Sequence, residues 1–184
     1  LTNYTDAPRN LRLSNRVFLG SDQVLSLPSD EVSLDARASR MLTVTMPWDD
    51  AELWGYPPYG EPVLYHLQTR LSDGDNVTVD QVATRFGFRE IWTEGDQIVF
   101  NGKPLRILGY WMPEGSGRRV WTWRMVAAQS AGCNAVHNHA EQREPAFYDV
   151  ADELGMLVWD ADFCGGPLGT TSNMSDEPFP EVET

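Results

Sequence analysis

Between Arg106 and Asp162 the hydrophobic period switches repeatedly, in a way that few folds accommodate. Arg106–Leu108 is a short run that leads into Gly109. Arg118 to Ala131 carries Val120, Trp123, Met125, Val126, Ala127 and Ala128 at helical spacing, and Gly132 follows where a helix-ending glycine belongs. Cys133–Val136 is a second short apolar run. Glu144-Pro145 then opens a second helix, with proline where its missing N–H costs nothing. Phe147, Val150, Ala151 and Leu154 form its apolar stripe, Gly155 closes it, and Met156–Trp159 is a third apolar run. Strand, helix, strand, helix, strand with connections this short predicts right-handed parallel crossovers. These are the first three βα units of a (β/α)₈ barrel, whose complete form needs eight units and about 250 residues. The barrel is therefore expected to be incomplete here, its remainder supplied by the same polypeptide or by other chains.

The first half reads differently. Residues 1–90 alternate short apolar stretches with turn residues: Leu11–Leu13, Val17–Leu19, Val24–Leu27, Met41–Met46, Val63–Leu71 and Val77–Val82. Leu42-Thr43-Val44-Thr45-Met46 alternates strictly, as a half-buried strand does. Pro28-Ser29-Asp30, Pro47, Pro57-Pro58 and Asp73-Gly74-Asp75 punctuate the stretch at intervals that suit a β-sandwich. Asn101-Gly102, between Gln97–Phe100 and Lys103–Leu108, predicts a hairpin with a type I′ turn. The expected organisation is a sandwich over 1–90 and the first part of the barrel over 96–184, with a Gly-, Pro- and Ser-rich loop from Gly165 onward.

The net charge of −13 disfavours a nucleic-acid surface, which needs clustered Lys and Arg, and disfavours anionic membranes, so neither partner is expected. No apolar run is long enough to span a bilayer. The two cysteines, Cys133 and Cys164, make no disulfide framework or CxxC pair. Sequons at Asn3, Asn76 and Asn173 and an opening at Leu1 without an initiator Met point to a processed or excised N-terminus and a secreted or periplasmic protein.

Barrel chemistry sits at the C-terminal ends of the strands. Three such ends fall at Gly109–Pro113, at His137-Asn138-His139 and at Asp160-Ala161-Asp162-Phe163. Trp111 is either a wall on which a sugar stacks or a core residue. His137 and His139, on alternate positions of an extended strand, could share a metal, but they lack the rest of a ligand set; hydrogen bonds to a polar ligand or to neighbouring strands suit them better. Asp160 and Asp162 are either an acid/base pair or positioning residues. The substrate-contact candidates are thus Trp111, His137, Asn138, His139, Asp160 and Asp162, with Trp121 and Trp123 assigned to packing. No metal or other cofactor is expected, and no nucleophile motif such as GxSxG or HExxH occurs.

Several segments together resemble glycoside hydrolase family two, the β-galactosidase, β-glucuronidase, β-mannosidase and exo-β-glucosaminidase group. They are Leu53-Trp54 with Pro57-Pro58-Tyr59-Gly60 and Leu64-Tyr65; Arg85-Phe86-Gly87-Phe88-Arg89-Glu90; Phe100-Asn101-Gly102-Lys103-Pro104; Gly132–Val136; and Phe147–Val158. Tyr110-Trp111-Met112-Pro113 and Val158–Phe163 are similar to the mannosidase and glucosaminidase branch. His137 departs from the family's usual Arg, Asp160-Ala161 from its common Asp-Glu, and His139-Ala140-Glu141 from its "SHYP". The resemblance implies an immunoglobulin-like sandwich, a TIM barrel and a retaining mechanism with two glutamates, both beyond Thr184, so no catalytic residue is assigned within this chain. The expected function is a fragment of an exo-acting β-glycosidase, inactive alone, acting on a carbohydrate and possible as a homo-oligomer. The alternative is a non-catalytic carbohydrate- or protein-binding β-sandwich module.

Overall fold

An eleven-residue strand, β1 (Arg9–Leu19), organises the first half of the chain. It buries Leu11, Leu13, Asn15 and Val17 on alternate positions. Strands β2 (Asp22–Ser26) and β3 (Asp30–Leu34) pair antiparallel with its two ends on one side. Strand β4 (Tyr65–Ser72) pairs with its other side, and β5 (Thr78–Phe86) extends the sheet beyond β4. The runs Leu11–Leu13 and Val17–Leu19 are therefore one strand, because Ser14, Asn15 and Arg16 continue the ladder between them. Asn15 is tolerated inside because its Oδ1 accepts the Thr69 hydroxyl at 2.7 Å.

The computed structural model describes residues 1–138 and 143–160. It divides into one unit spanning Leu1–Pro104 and another that starts at Leu105.

The strand expected at Leu42–Met46 is not one. The segment carries no ladder, yet its alternation is real: Leu42 and Val44 pack on Leu11, Leu13, Val32 and Leu34, while Met41 is 93% exposed. Period-two patterning reports which side is covered, and it does not require a hydrogen-bonded neighbour. Strand β3 was not expected, because Pro28-Ser29-Asp30 reads as a turn and only Val32 and Leu34 mark the residues after it as a strand.

A second sheet contains β6 (Ile91–Glu94), β7 (Gln97–Phe100) and β8 (Lys103–Leu105). Asn101 and Gly102 join β7 to β8 with φ of 48° and 75°, the two positive values of the expected type I′ turn. Three of the family-like sequence segments converge at Trp54, which is 3% exposed. Its N–H donates to the Phe88 carbonyl at 2.6 Å, its carbonyl accepts the Asn101 side-chain N–H at 2.9 Å, and the Arg89 guanidinium lies 5.4 Å from its ring centre. A Cβ at Gly87 would be crowded, 3.1 Å from the Val63 carbonyl oxygen and 3.2 Å from the Trp54 Cβ, so a side chain there requires its neighbours to give.

The second unit alternates strand and helix: β9 (Gly109–Trp111), α1 (Arg118–Ser130), β10 (Ala135–Asn138), α2 (Pro145–Leu154) and β11 (Leu157–Asp160). The strands form one parallel sheet in the order β11-β10-β9. Both helices pack on it through Met112, Trp121, Met125, Val136, Phe147, Val150 and Met156. Trp123, assigned to packing from sequence, is instead 71% exposed. It sits two positions from fully buried Trp121, about 200° around the helix, so the two cannot share a face.

Each strand begins one to three residues later than expected. The shift of the first has a visible cause. The Asn134 side chain accepts the Leu108 N–H at 2.8 Å and donates to the Arg106 carbonyl at 2.8 Å, so an amide side chain stands where a ladder was expected. The parallel pairing starts only at Gly109 opposite Ala135.

Helix α1 ends as the sequence implies. Gly132 has φ 85°, its N–H donates to the Gln129 carbonyl at 2.8 Å, and the Cys133 N–H donates to the Ala128 carbonyl at 3.0 Å. That pair of bonds is a Schellman motif. Nothing lies within 4 Å of a Cβ built at Gly132, so a side chain there meets only backbone strain. Gly132→Ala is expected to cost about 1–2 kcal/mol, read as a lower urea midpoint at unchanged slope.

Candidate functional site

The three parallel strands place their final residues on two opposite faces, because side chains alternate along a strand. His137 lies directly between Trp111 and Trp159 in the ladder. These three form a row on the face away from the helices. His137 stands edge-on to Trp159 with ring centres 5.4 Å apart. Trp111 is 57% and Trp159 63% exposed.

Asn138 and Asp160 occupy the other face, in line with Val136 and Val158, which pack against α1 and α2. Asn138 is fully buried. Its Nδ2 donates to Asp160 Oδ1 at 2.5 Å, and its Oδ1 accepts from Arg143 Nε at 3.3 Å. Arg143 Nη2 also donates to the Met112 carbonyl at 3.1 Å, and its guanidinium lies 5.6 Å from the Trp121 ring centre. Asp160 Oδ2 accepts the Tyr148 hydroxyl at 2.8 Å. A single network therefore ties the ends of all three strands to the start of α2. With one oxygen held by Asn138 and the other by Tyr148, Asp160 is arranged to hold a fixed carboxylate.

Two groups beside this network have displaced pKa values. Burial pushes the Tyr148 phenol above 10.0, and its bond to Asp160 adds to the shift by holding the proton. Glu144 closes the loop after β9: its Oε1 accepts the Gly117 N–H at 2.5 Å and the Trp121 indole N–H at 2.6 Å. Those donors, the Gly117 amide first, hold its carboxyl below 4.5. Arg118 and Glu153 form a further ion pair, between α1 and α2.

The structure thus separates the sequence-derived candidates. Trp111 and His137 share the open face, whereas Asn138 and Asp160 are bonded to each other on the helix side. His139 and Asp162 lie outside the described residues, so the pairings His137–His139 and Asp160–Asp162 are not described. Trp159 joins the open row without having been nominated. The signal was available, since it lies one residue before Asp160 in an apolar run, but core packing is the ordinary fate of such a residue. Among the described residues, no group of three or more His, Cys, Asp and Glu side chains could hold a metal ion. Also among them, no helix is long and apolar enough to cross a membrane.

The chain is thus mostly β, with a parallel βαβαβ unit after its first sheets and with Trp, His and Asp at the described strand ends. Residues 1–89 match the family described as Glycosyl hydrolases family 2. Beta-mannosidase B of Thermothelomyces thermophilus is 31% identical over 149 residues, covering 71% of this chain and 17% of that protein. A beta-galactosidase of Pseudoalteromonas haloplanktis is 36% identical over 107 residues, 54% of this chain and 10% of that protein. The crystal structure of a Bacteroides uniformis beta-glucuronidase superposes with a TM-score of 0.74 at 20% identity, covering 86% of this chain and 20% of that one. Residues 1–89 are thus similar to glycosyl hydrolases family 2, and most of the chain is similar to β-glycosidases. The chain spans 17% of the length of the first curated relatives it matches.

Two titrations check the site. A raised folded-state pKa favours the protonated fold, so the Tyr148 contribution is present below 10.0 and is lost as pH rises through the higher folded value. In a near-ultraviolet titration, the phenol identified by its loss in Tyr148→Phe should ionise above free tyrosine. Asp160→Asn should bring it part of the way back, burial accounting for what remains. Glu144 has the opposite sign. Its contribution is present above the ordinary carboxylate value and is lost as pH falls through the lowered one. The Trp121 indole N–H resonance should hold steady through the ordinary carboxylate range and move only at lower pH.

Proposed function

We propose that this chain is part of a retaining, exo-acting β-glycosidase that removes terminal β-linked sugars from oligo- or polysaccharides. In this reading the unit that starts at Leu105 is the first part of a (β/α)₈ barrel, and the preceding β unit is an immunoglobulin-like sandwich. The observation that carries the proposal is the parallel β9-α1-β10-α2-β11 repeat, in a chain similar to family 2, with Trp111, His137 and Asp160 at its strand ends. Active sites of such barrels gather at that end. Retention requires two carboxyl groups about 5–5.5 Å apart across the anomeric carbon. The family resemblance implies two catalytic glutamates, and both are placed outside this chain, on later barrel strands. Its own residues form one wall of the sugar site, and it is inactive by itself. A secreted or periplasmic setting suits a polysaccharide-degrading enzyme, and the Asn76 sequon lies on an exposed turn.

The test is mass under native and denaturing conditions together, followed by hydrolysis assays on β-mannosides, β-glucosaminides, β-galactosides and β-glucuronides. A native particle much larger than 20.7 kDa that cleaves one of these with retention of configuration is expected. A monodisperse 20.7 kDa monomer that binds glycans without hydrolysing them would overturn the split-barrel reading and leave a binding module.

A further inference from the structure

We infer that the outward face of the first sheet binds a polyuronate, an anionic polysaccharide with a carboxylate on each sugar. The site lies in the unit spanning Leu1–Pro104 and stands apart from the glycosidase reading of the strand ends. Leu11, Leu13, Asn15 and Val17 point inward from β1, so Arg12, Ser14 and Arg16 point outward. The register sets Arg70 opposite Ser14 and Gln68 opposite Arg16, with Gln81 beyond Arg70. His66 and Arg85 lie opposite each other on the same face. Four of the 14 Lys and Arg residues in a chain of net charge −13 therefore share one side of β1, β4 and β5. Among the described residues, Glu31, opposite Arg12, is the only acid that the ladders place on this face.

The cations of this face are open to an anion. Arg12 lies 3.5 Å from Glu31 with both side chains more than half exposed, and an ion pair so exposed is worth little. A ligand carboxylate can replace it. Arg16 is exposed. Arg70 is oriented by neutral partners: its Nε donates to the Thr78 hydroxyl at 2.7 Å and its Nη2 to the Asn76 carbonyl at 2.6 Å. Those bonds fix the guanidinium without neutralising it, and a fixed fork gives up little freedom on binding a carboxylate. Nor is the face an uncovered piece of core, because an apolar layer laid over these arginines would bury charges without partners.

Shape and spacing narrow the anion to a linear saccharide. A cleft of about 270 Å³ opens at the Arg12 end, lined by Asn10, Arg12, Ser33 and Asn76 together with Glu31 and Asp73. The Asp73 carboxylate is engaged within its own turn, its Oδ1 accepting the Asp75 N–H at 3.1 Å and the Val77 N–H at 2.9 Å. Drug-sized ligands occupy roughly 300–1,000 Å³, so this cleft admits a single sugar ring. Arg70 stands one strand over and two residues along from both Arg12 and Arg16, which spaces successive arginines about 8 Å apart. A polyuronate laid along β1 and β4 thus meets three cations in turn, with Ser14, Gln68 and Gln81 beside them to bond its hydroxyls. Single-stranded nucleic acid needs aromatic rings on which its bases stack, and an acidic protein surface needs an apolar anchor. Among the residues of these ladders, half-buried Phe18 is the only large apolar side chain on the face.

Heteronuclear NMR on the isotope-labelled full chain tests this directly. The probe is a galacturonate oligosaccharide, with a cello-oligosaccharide of the same length as the neutral comparison. The galacturonate should shift the backbone amides of Ser14, Gln68 and Gly74, leave those of α1 in place, and bind more weakly as salt is raised. The cello-oligosaccharide should shift none of them. Arg16→Gln should weaken galacturonate binding by about tenfold, the loss of one charge-assisted hydrogen bond. Arg119→Gln, an equal change of charge on α1, should leave binding unaltered. Arg16 and Arg119 are both exposed, so both variants should keep the parent melting temperature. No binding at low salt, equal weakening in Arg119→Gln, wild-type affinity in Arg16→Gln, or equal binding of the neutral saccharide would each overturn the inference. So would tighter binding of polyglutamate or of single-stranded DNA, which would assign the face to an acidic protein or to a nucleic acid instead.

Discussion

Asn134 sets the register of the parallel sheet, and the rest of the second unit depends on that register. Its side chain bonds the Leu108 N–H and the Arg106 carbonyl, its backbone N–H donates to the Leu108 carbonyl, and its own carbonyl accepts the Leu157 N–H at 3.0 Å. One residue just before β10 thus touches the strands on both sides. A slip of one residue in a strand exchanges every side chain between the faces. Here such a slip would drive Trp159 into the helix layer and turn Asp160 outward. The separation of an aromatic row from a buried polar network depends on that anchoring.

The network on the helix side then does what a solvated cluster could not. Asn138 is fully buried, and an unsatisfied amide there would cost about 1–3 kcal/mol. The cost is avoided because Asp160 and Arg143 complete its bonds. The same bonds hold the start of α2 against the end of β9 through the Met112 carbonyl, and Glu144 secures the loop after β9 through Gly117 and Trp121. Hydrogen bonds therefore tie the rim of the sheet together on the side that carries its charges, and the face that carries its rings is open.

How much of this was legible in the sequence depended on whether a residue's role is local. Helix α2, its proline start and the Gly155 end were legible because each is decided within a few residues. So was the Asn101-Gly102 turn. The Leu53-Trp54, Phe86–Arg89 and Phe100–Pro104 segments were recognisable as a set. Their meeting at Trp54, where the Phe88 carbonyl, the Arg89 guanidinium and the Asn101 amide converge, was not. Strand β3 stayed hidden behind a turn-like Pro-Ser-Asp, and Leu42–Met46 imitated a strand because its alternation records cover, not pairing. The first parallel strand was displaced because a single asparagine took over the bonds of Arg106 and Leu108.

The same reasoning explains why the candidate site divided as it did. A strand end was read from the sequence as a group of neighbours, so His137 with Asn138, and Trp159 with Asp160, looked equivalent. In a strand, adjacent residues are the pair that cannot share a face. Once helices cover one side, the larger part of the polar chemistry at these ends, Asn138 and Asp160, is committed to holding the fold. The set one residue earlier, two indoles and an imidazole, lies on the face that these helices leave open. Polar residues at a strand terminus are thus poor guides to ligand contact until the covered face is known. In this chain the covered face was encoded in Val136 and Val158, whose apolar side chains already marked the direction in which Asn138 and Asp160 had to point.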